Sequence, residues 1–423
     1  MSPFINDHPA EANVPTNDFK ARNTTAGSPF HETSVHDYTP SDPKERTSFF
    51  ALIQPPPEPK TELGVYRLLS PSAGIRVSPL CLGAMNLGTQ WTGLFAGKTL
   101  DLDGACKYLD TYYDSGGNWV DVASNYQDGQ SEYIVGEWMK RRGNRDDMVI
   151  STKYTSNYMI RKEGFYQGIG INYTGNQKKS LMLSLKKSLA ALQTSYLDIL
   201  YVHYWDYTTS IPEMMQSLND VVRSGSVHYL GISDTPAWIV AAANDYAAAH
   251  GMAQFVIYQG KWNLGERDME REIIPMCQHY KMGIAPWGVL TQGRLQAAHT
   301  GEERNMNVPP LPNDSGAVAK LAEIAKELGG VSVSSVLIAW IRQKASYVFP
   351  IIGGHNATHL KENIDALKIT LSNAQMAALD QSAAFDPGFP FNLFGTDPHA
   401  NPGGMPNSPF TGTAGQIRFV PRA

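Results

Sequence analysis

The sequence predicts an α/β protein built as a parallel (β/α)8 TIM barrel. Three observations carry that prediction. Short apolar runs recur eight times after Leu80. Longer stretches of helical period lie between them. No G-x-G-x-x-G phosphate turn follows any of the runs, as a doubly wound sheet would require. Eight strand–helix repeats over about 290 residues match the barrel's usual size.

Residues 1–60 are rich in Pro, Thr, Ser and charge and culminate in "QPPPEPK". Fixed proline dihedrals and missing N–H groups oppose regular structure there, so a disordered N-terminal tail is expected. "VYRLLSPSAGIRVSPL" offers two short strands around a Ser/Gly turn, a hairpin expected to cap the barrel bottom. The barrel is expected over residues 61–385. Its strands are "LCLGAM", "NWVDV", "MVISTKY", "LDILYVH", "VHYLGIS", "FVIYQ", "MGIAPWG" and "YVFPIIG". Between them, "QKKSLMLSLKKSLAALQ" is apolar at three-to-four spacing with lysines on the other face. "PEMMQSLNDVVRSG", "PAWIVAAANDYAAAHG" and "DMEREIIPMCQHYK" read as further helices, with Pro near starts and Gly near ends. The aperiodic run from Thr291 to Ser315, after strand 7, is long enough to expect that it covers a ligand. Residues 386–423 are Pro- and Gly-rich with spaced Phe, and an extended tail draped over a surface is expected.

Composition removes several function classes. Of 423 residues, 42% are hydrophobic, ample for a large core, and net charge is −5 with no basic block, which argues against nucleic acid. The three cysteines, Cys81, Cys106 and Cys277, lie far apart with no C-x-x-C, implying neither disulfide framework nor thiolate metal site. No apolar run approaches the ~18 residues of a membrane span. The first residues carry acids and no apolar core of a secretory signal. A soluble, cytoplasmic protein is expected.

In such a barrel the active site forms at the C-terminal strand ends. Strand 2 ends at Asp121, and Tyr126 follows among turn formers in "GGNWVDVASNYQDGQSE". Strand 3 delivers Lys153 and strand 4 His203. Alone, a strand-end lysine is usually solvated and such a histidine usually structural. Four titratable groups converging on one mouth point to catalysis. The chemistry suggested is proton donation by a phenol. An ordinary Tyr pKa near 10 is high for acid work, and a nearby ammonium lowers it. Lys153 is expected to supply that charge, Asp121 to brace it, and His203 to orient a carbonyl oxygen.

These stretches, with "STKY", "DILYVHYWD", "GISD", "YQGKWNL", "APWGVL" and "GGHNATHLKEN", resemble the aldo-keto reductases. "RVSPLCLGAMNLG" and "GKWNLGERDMEREIIPMC" look most like fungal aryl-alcohol dehydrogenases and norsolorinic-acid reductases. The resemblance spans about Tyr66 to Phe385. It implies that Asp121, Tyr126, Lys153 and His203 form a catalytic tetrad with Tyr126 as general acid. It implies a nicotinamide cofactor extended across the mouth, with Ser233, Asp234 and Gln259 on its carboxamide and Trp287 stacked on its ring. Gly83 and Met85 would border the nicotinamide, and Gly288, Leu290, Gln292 and Arg294 would line the pyrophosphate. Gly354, His355, Asn356, His359, Glu362 and Asn363 would lie by the adenosine phosphate.

Two departures from the family pattern bear on the cofactor. Asp234 stands where Asn is common, and a carboxylate cannot donate to the carboxamide oxygen, leaving that to Gln259. Where NADP-preferring relatives place Lys or Arg, this chain has His355, Asn356 and His359. These can hydrogen-bond a 2′-phosphate at a helix N-terminus but offer no fixed cationic fork. NADP(H) is expected, with NAD(H) also accepted at weaker preference. Asn86, Trp91, Trp205 and Trp262 are candidate substrate contacts, and stacked tryptophans would favour a flat aromatic carbonyl or alcohol. The expected activity is reduction of aromatic aldehydes or ketones, or the reverse oxidation, with a link to secondary metabolism implied only by the resemblance. A cofactor-binding regulatory subunit with a vestigial site is the second reading. A metal-dependent lyase is weaker, because Lys153 would repel a cation beside Asp121 and His203.

Overall fold

A computed structural model describes residues 57–159, 168–291, 314–383, 385–395, 413 and 415. The expected N-terminal tail lies almost wholly outside them, as do most of the loop after strand 7 and most of the C-terminal tail.

Eight parallel strands form one sheet in the order β10-β3-β4-β5-β6-β7-β8-β9. They are β3 (Cys81–Gly83), β4 (Trp119–Asp121), β5 (Val149–Tyr154), β6 (Leu197–Val202), β7 (Val227–Ser233), β8 (Phe255–Lys261), β9 (Gly283–Trp287) and β10 (Ile351–Ile352). Seven fall inside the runs read from the sequence, and β8 outruns "FVIYQ" by two residues, to Lys261. The sheet curls until its edges meet. Ile284 of β9 bridges Val348, donating to the Tyr347 carbonyl at 2.9 Å and accepting from Phe349 N at 2.8 Å. The last strand is shorter than its run "YVFPIIG" because Pro350 has no N–H to give the ladder.

Helices alternate with the strands: α1 (Leu102–Asp114), α2 (Gln130–Arg142), α3 (Lys178–Ala191), α4 (Ile211–Arg223), α5 (Ala237–Ala249) and α6 (Ile273–His279). Then α7 (Asp314–Glu327) and α8 (Val333–Lys344) precede β10, and α9 (Ala357–Asp365) and α10 (Asn373–Ser382) follow it. Side chains cap several of their starts. Asp101 accepts from Gly104 N, Gln177 from Ser180 N, and Ser372 forms a capping box with Gln375.

The strands β1 (Arg67–Ser70) and β2 (Ala73–Val77) pair antiparallel as the predicted hairpin. Leu69, Ala73 and Val77 pack into one buried cluster with Trp119, Val149, Ile199, Ile257 and Phe349 from the barrel interior. Several of these stand at strand starts, so the hairpin closes the N-terminal end. Gly283 permits this approach, because a Cβ there would meet the Leu69 carbonyl oxygen at 2.4 Å. With the bottom filled, the C-terminal mouth is the end of the barrel left to hold a ligand among the described residues. The cysteines are free, Cys81 and Cys277 buried and Cys106 partly so. Among the described residues no helix is long and apolar enough to cross a membrane.

Candidate active site

Strand register brings the predicted residues together. Asp121 pairs with Ser151 across β4 and β5, and Lys153 pairs with Tyr201 across β5 and β6. Lys153 is fully buried. Its ammonium forms an ion pair with Asp121 Oδ2 and donates to the Val122 carbonyl at 2.7 Å. Asp121 Oδ1 accepts from Ser151 Oγ at 2.8 Å and from Gln259 Nε2 at 3.3 Å. The carboxylate is thus spent on three donors from two strands, which offsets the cost of burying it.

Tyr126 stands over this pair. Lys153 Nζ lies 5.0 Å from its ring centroid. His203 meets the same ring edge to face at 6.0 Å. The His203 Nδ1 shares a hydrogen bond with Ser156 Oγ at 3.1 Å, and its backbone N–H donates to Thr155 Oγ1 at 3.3 Å.

The proton balance differs from the sequence expectation in one respect. Burial raises the Tyr126 phenol, the Lys153 ammonium draws it back, and Asp121 opposes that pull, so the net shift is upward. Net acidification was expected, and desolvation outweighs it. Tyr126 therefore holds its proton firmly, beside a cation able to stabilise the phenolate left when the proton goes. Burial draws the Lys153 ammonium down, but Asp121 and Tyr126 carry it above an ordinary lysine. Burial and the Lys153 charge push His203 down to about 3, so the imidazole is neutral at physiological pH.

The turn after Tyr126 is strained. Gln127, Asp128 and Gly129 have φ of 51°, 55° and 92°, left-handed values that cost ordinary side chains about 1–2 kcal/mol each. Side-chain bonds to the loop after β3 hold them. Gln127 donates to the Met85 carbonyl at 3.0 Å and accepts from Trp91 N at 2.7 Å. Asp128 accepts from the Trp91 indole at 2.9 Å, leaving the Trp91 ring edge-on to Tyr126 at 6.3 Å. Ser151, Ser156, Gln127 and Asp128 went unnoticed in the sequence, although the last two stand beside Tyr126 in the stretch that revealed it.

The described residues among those expected to hold a cofactor follow the C-terminal ends of the strands or stand at them. Ser233 pairs in register with Gln259, and its buried hydroxyl has no hydrogen-bond partner of good geometry among the described residues. An orphaned donor-acceptor at that place fits a carboxamide. Gln259 already spends one amide hydrogen on Asp121, so a single N–H is left for the role expected of it. Asp234, at φ 42°, accepts from the Trp287 indole at 3.2 Å, which fixes the plane of that flat side chain. Gly83 and exposed Met85 border the opening from β3. Gly288, at φ 69°, and partly buried Leu290 follow β9. Gln292 and Arg294 lie outside the described residues. Beyond β10, Asn356 caps α9 by accepting from Thr358 N at 2.8 Å, with His355 and His359 exposed around that helix start. Glu362 is exposed and Asn363 buried one turn on, with Gly354 before the cap.

The four substrate candidates separate. Trp91 faces Tyr126, and partly buried Trp205 sits two residues past His203 with its ring 6.4 Å from Tyr207. Asn86 is buried and donates to the Gly354 carbonyl, tying the β3 loop to the β10 loop instead of facing a substrate. Trp262 is fully buried, bonded to Glu270 at 3.0 Å and packed on Trp340 at 6.2 Å. The alternation of strand side chains explains it. Lys261 pairs with Trp287 at the mouth, so its neighbour Trp262 points to the opposite face. Among the described residues no group of three or more His, Cys, Asp or Glu side chains could hold a metal ion.

The sequence model of the Aldo/keto reductase family matches residues 79–384. The chain belongs to the aldo/keto reductase family. Relatives include an aryl-alcohol dehydrogenase [NADP(+)] of Phanerodontia chrysosporium, 46% identical over 356 residues that cover 81% of this chain and 91% of that protein. The norsolorinic acid reductase of Aspergillus flavus is 47% identical over 339 residues, 80% of this chain and 86% of its own length. An aldo-keto reductase of Emericella nidulans is 45% identical over 386 residues, 89% of this chain and 95% of its own. The protein is an oxidoreductase enzyme, and aldo-keto reductases work with nicotinamide cofactors.

Proposed function

We propose that this aldo-keto reductase is an NADP(H)-dependent reductase of aromatic aldehydes or ketones, able to run in reverse on aryl alcohols, with Tyr126 as general acid. The observation that carries the reading is the buried Lys153–Asp121 pair beneath a protonated Tyr126, with neutral His203 against the same ring. A bound dihydronicotinamide would supply the hydride. Tyr126 gives its proton to the carbonyl oxygen, and the Lys153 ammonium stabilises the phenolate that remains. His203, uncharged, orients that oxygen without competing for the proton. Trp91, pinned by Asp128, offers an aromatic wall beside the acid, which supports a flat substrate. The relatives named for an aryl alcohol and for norsolorinic acid support the same substrate class.

Tyr126→Phe is expected to keep NADPH binding and lose about a hundredfold or more in kcat. Retention of more than roughly a tenth of the wild-type rate on a panel of aromatic aldehydes would sink the acid role. The exposed His355, Asn356 and His359 offer no guanidinium fork, so the NADPH to NADH ratio of kcat/KM should stay below about a thousand, ~4 kcal/mol. A larger ratio would show that another cation, such as one from the loop after β9, reads the phosphate.

A further inference from the structure

Lys187, on α3, belongs to no part of the site described so far. Its side chain retains 26% of its exposure, yet its ammonium points inward. It donates to Glu132 Oε2 at 2.8 Å and to the Ser124 carbonyl at 2.6 Å. Glu132 is fully buried, and its other oxygen accepts from Thr152 Oγ1 at 2.7 Å. Thr152 precedes Lys153 on β5, and Ser124 lies two residues before Tyr126.

The carbonyls of that loop are accounted for one by one. Val122 O accepts from Lys153, Ala123 O from Tyr126 N, Ser124 O from Lys187, and Asn125 O from Asp128 N. Ser124 N donates back to the Lys153 carbonyl at 3.2 Å. The loop bearing the acid therefore hangs from two ammonium groups, two residues apart along its backbone. One of them is part of the site, and the other reaches in from a helix outside it. Gly129 keeps the second approach open, since a Cβ there would meet Lys187 Nζ at 2.8 Å. The three left-handed residues that directly follow Tyr126 lie between this anchor and α2, which carries Glu132. A strained turn of that kind persists only when its surroundings over-determine it.

We infer that Lys187, held by the buried carboxylate of Glu132, is a positioning residue that sets Tyr126 over Lys153 through the Ser124 carbonyl. The inference rests on the general-acid reading of Tyr126. Misplacing a proton donor by an ångström is enough to cost orders of magnitude in rate. Lys187 makes no contact with the reacting groups, so its loss should lower kcat and leave cofactor affinity alone.

The test uses the full chain with NADPH and benzaldehyde. Lys187→Met alone leaves a buried carboxylate uncompensated, so the paired Lys187→Met/Glu132→Gln variant, which removes both charges, is measured beside it. The expected result for the pair is a cooperative melt, a Kd for NADPH within about twofold of wild type by tryptophan fluorescence, and kcat lower by at least about tenfold. Lys187→Arg, which keeps a donor for Ser124, should recover most of the rate. A paired variant with wild-type kcat per folded molecule, or one that loses NADPH affinity as much as kcat, overturns the positioning role. Tyr126→Phe run in parallel separates the two readings. If it stays active, the general-acid reading has failed. If it is dead while the paired variant turns over normally, only the role of Lys187 has.

Discussion

Of two buried charge clusters in this molecule, one in the barrel mouth and one behind its wall, only the first is built for chemistry. Behind the wall, Arg267 forks Glu270 with bonds of 2.8 and 2.7 Å, and Glu270 also accepts from the Trp262 indole. Lys344 bridges to Asp380 at 2.9 Å, and Asp380 accepts from the Trp340 indole at 3.0 Å. The Phe385 ring lies 4.8 Å from the Arg267 guanidinium carbon, and the neighbouring Asp386 carbonyl accepts twice from Arg271. Partners surround these charges, and the cluster fastens α10 and the start of the C-terminal segment to the loop after β8. In the mouth, Lys153 and Asp121 are equally buried, but the next group out is a phenol that can part with its proton. Burial and pairing of charge are common to both places. What differs is whether an exchangeable proton stands between the pair and the opening.

The largest effect should come from breaking the wall cluster. Glu270→Ala leaves Arg267 and the Trp262 indole without their main acceptor in a site closed to water. A loss of about 3–5 kcal/mol in unfolding free energy is expected, read from denaturant midpoints, with kcat per folded molecule close to wild type. A variant that is stable but catalytically dead would erase the distinction between the clusters. Tyr126→Phe should give the mirror image. It removes about 2.7 kcal/mol or more of transition-state stabilisation while stability moves by less than about 1 kcal/mol, because the ring packing against Trp91 and His203 survives. Equal damage to melting and turnover would mean that the phenol is structural.

The comparison also explains what the sequence could and could not reveal. All eight strands were legible because parallel strands buried on both faces read as short continuous apolar runs, and a polar residue ending such a run stands out. Asp121, Lys153 and His203 were found that way. Lys187 was not. Periodicity placed the lysines of "QKKSLMLSLKKSLAALQ" on the outer face of α3, and the partner that turns one of them inward, Glu132, lies on a different helix. Trp262 was misplaced because a residue past the end of an apolar run does not announce that strand alternation continues through it. Its true partners, Glu270 and Trp340, come from a later loop and from α8. The net rise of the Tyr126 phenol had the same origin. A neighbouring cation can be named from residue types, but the depth of burial that outweighs it is a property of the assembled mouth.

The smallest effect offers the sharpest discrimination, because a titrating histidine stands in the mouth cluster and the wall cluster contains none. His203 is held down to about 3 in the folded protein, against an ordinary value near 6.5. The unfolded chain therefore binds more protons at this position between those two values, and acid favours unfolding. The contribution is complete above about pH 6.5 and drains away as pH falls through the window toward 3. At pH 5.5, one unit below the unfolded value, the loss amounts to ~1.4 kcal/mol. Urea titrations at pH 7.5 and 5.5 should show a drop in stability that is smaller by about this amount in His203→Gln than in the wild type. Glu270→Ala, though far less stable at both pH values, should keep the wild-type difference between them. If His203→Gln kept the full acid sensitivity instead, the imidazole would have to be charged in the fold. A cation 6.0 Å from the Tyr126 ring would then share the work assigned to Lys153 alone.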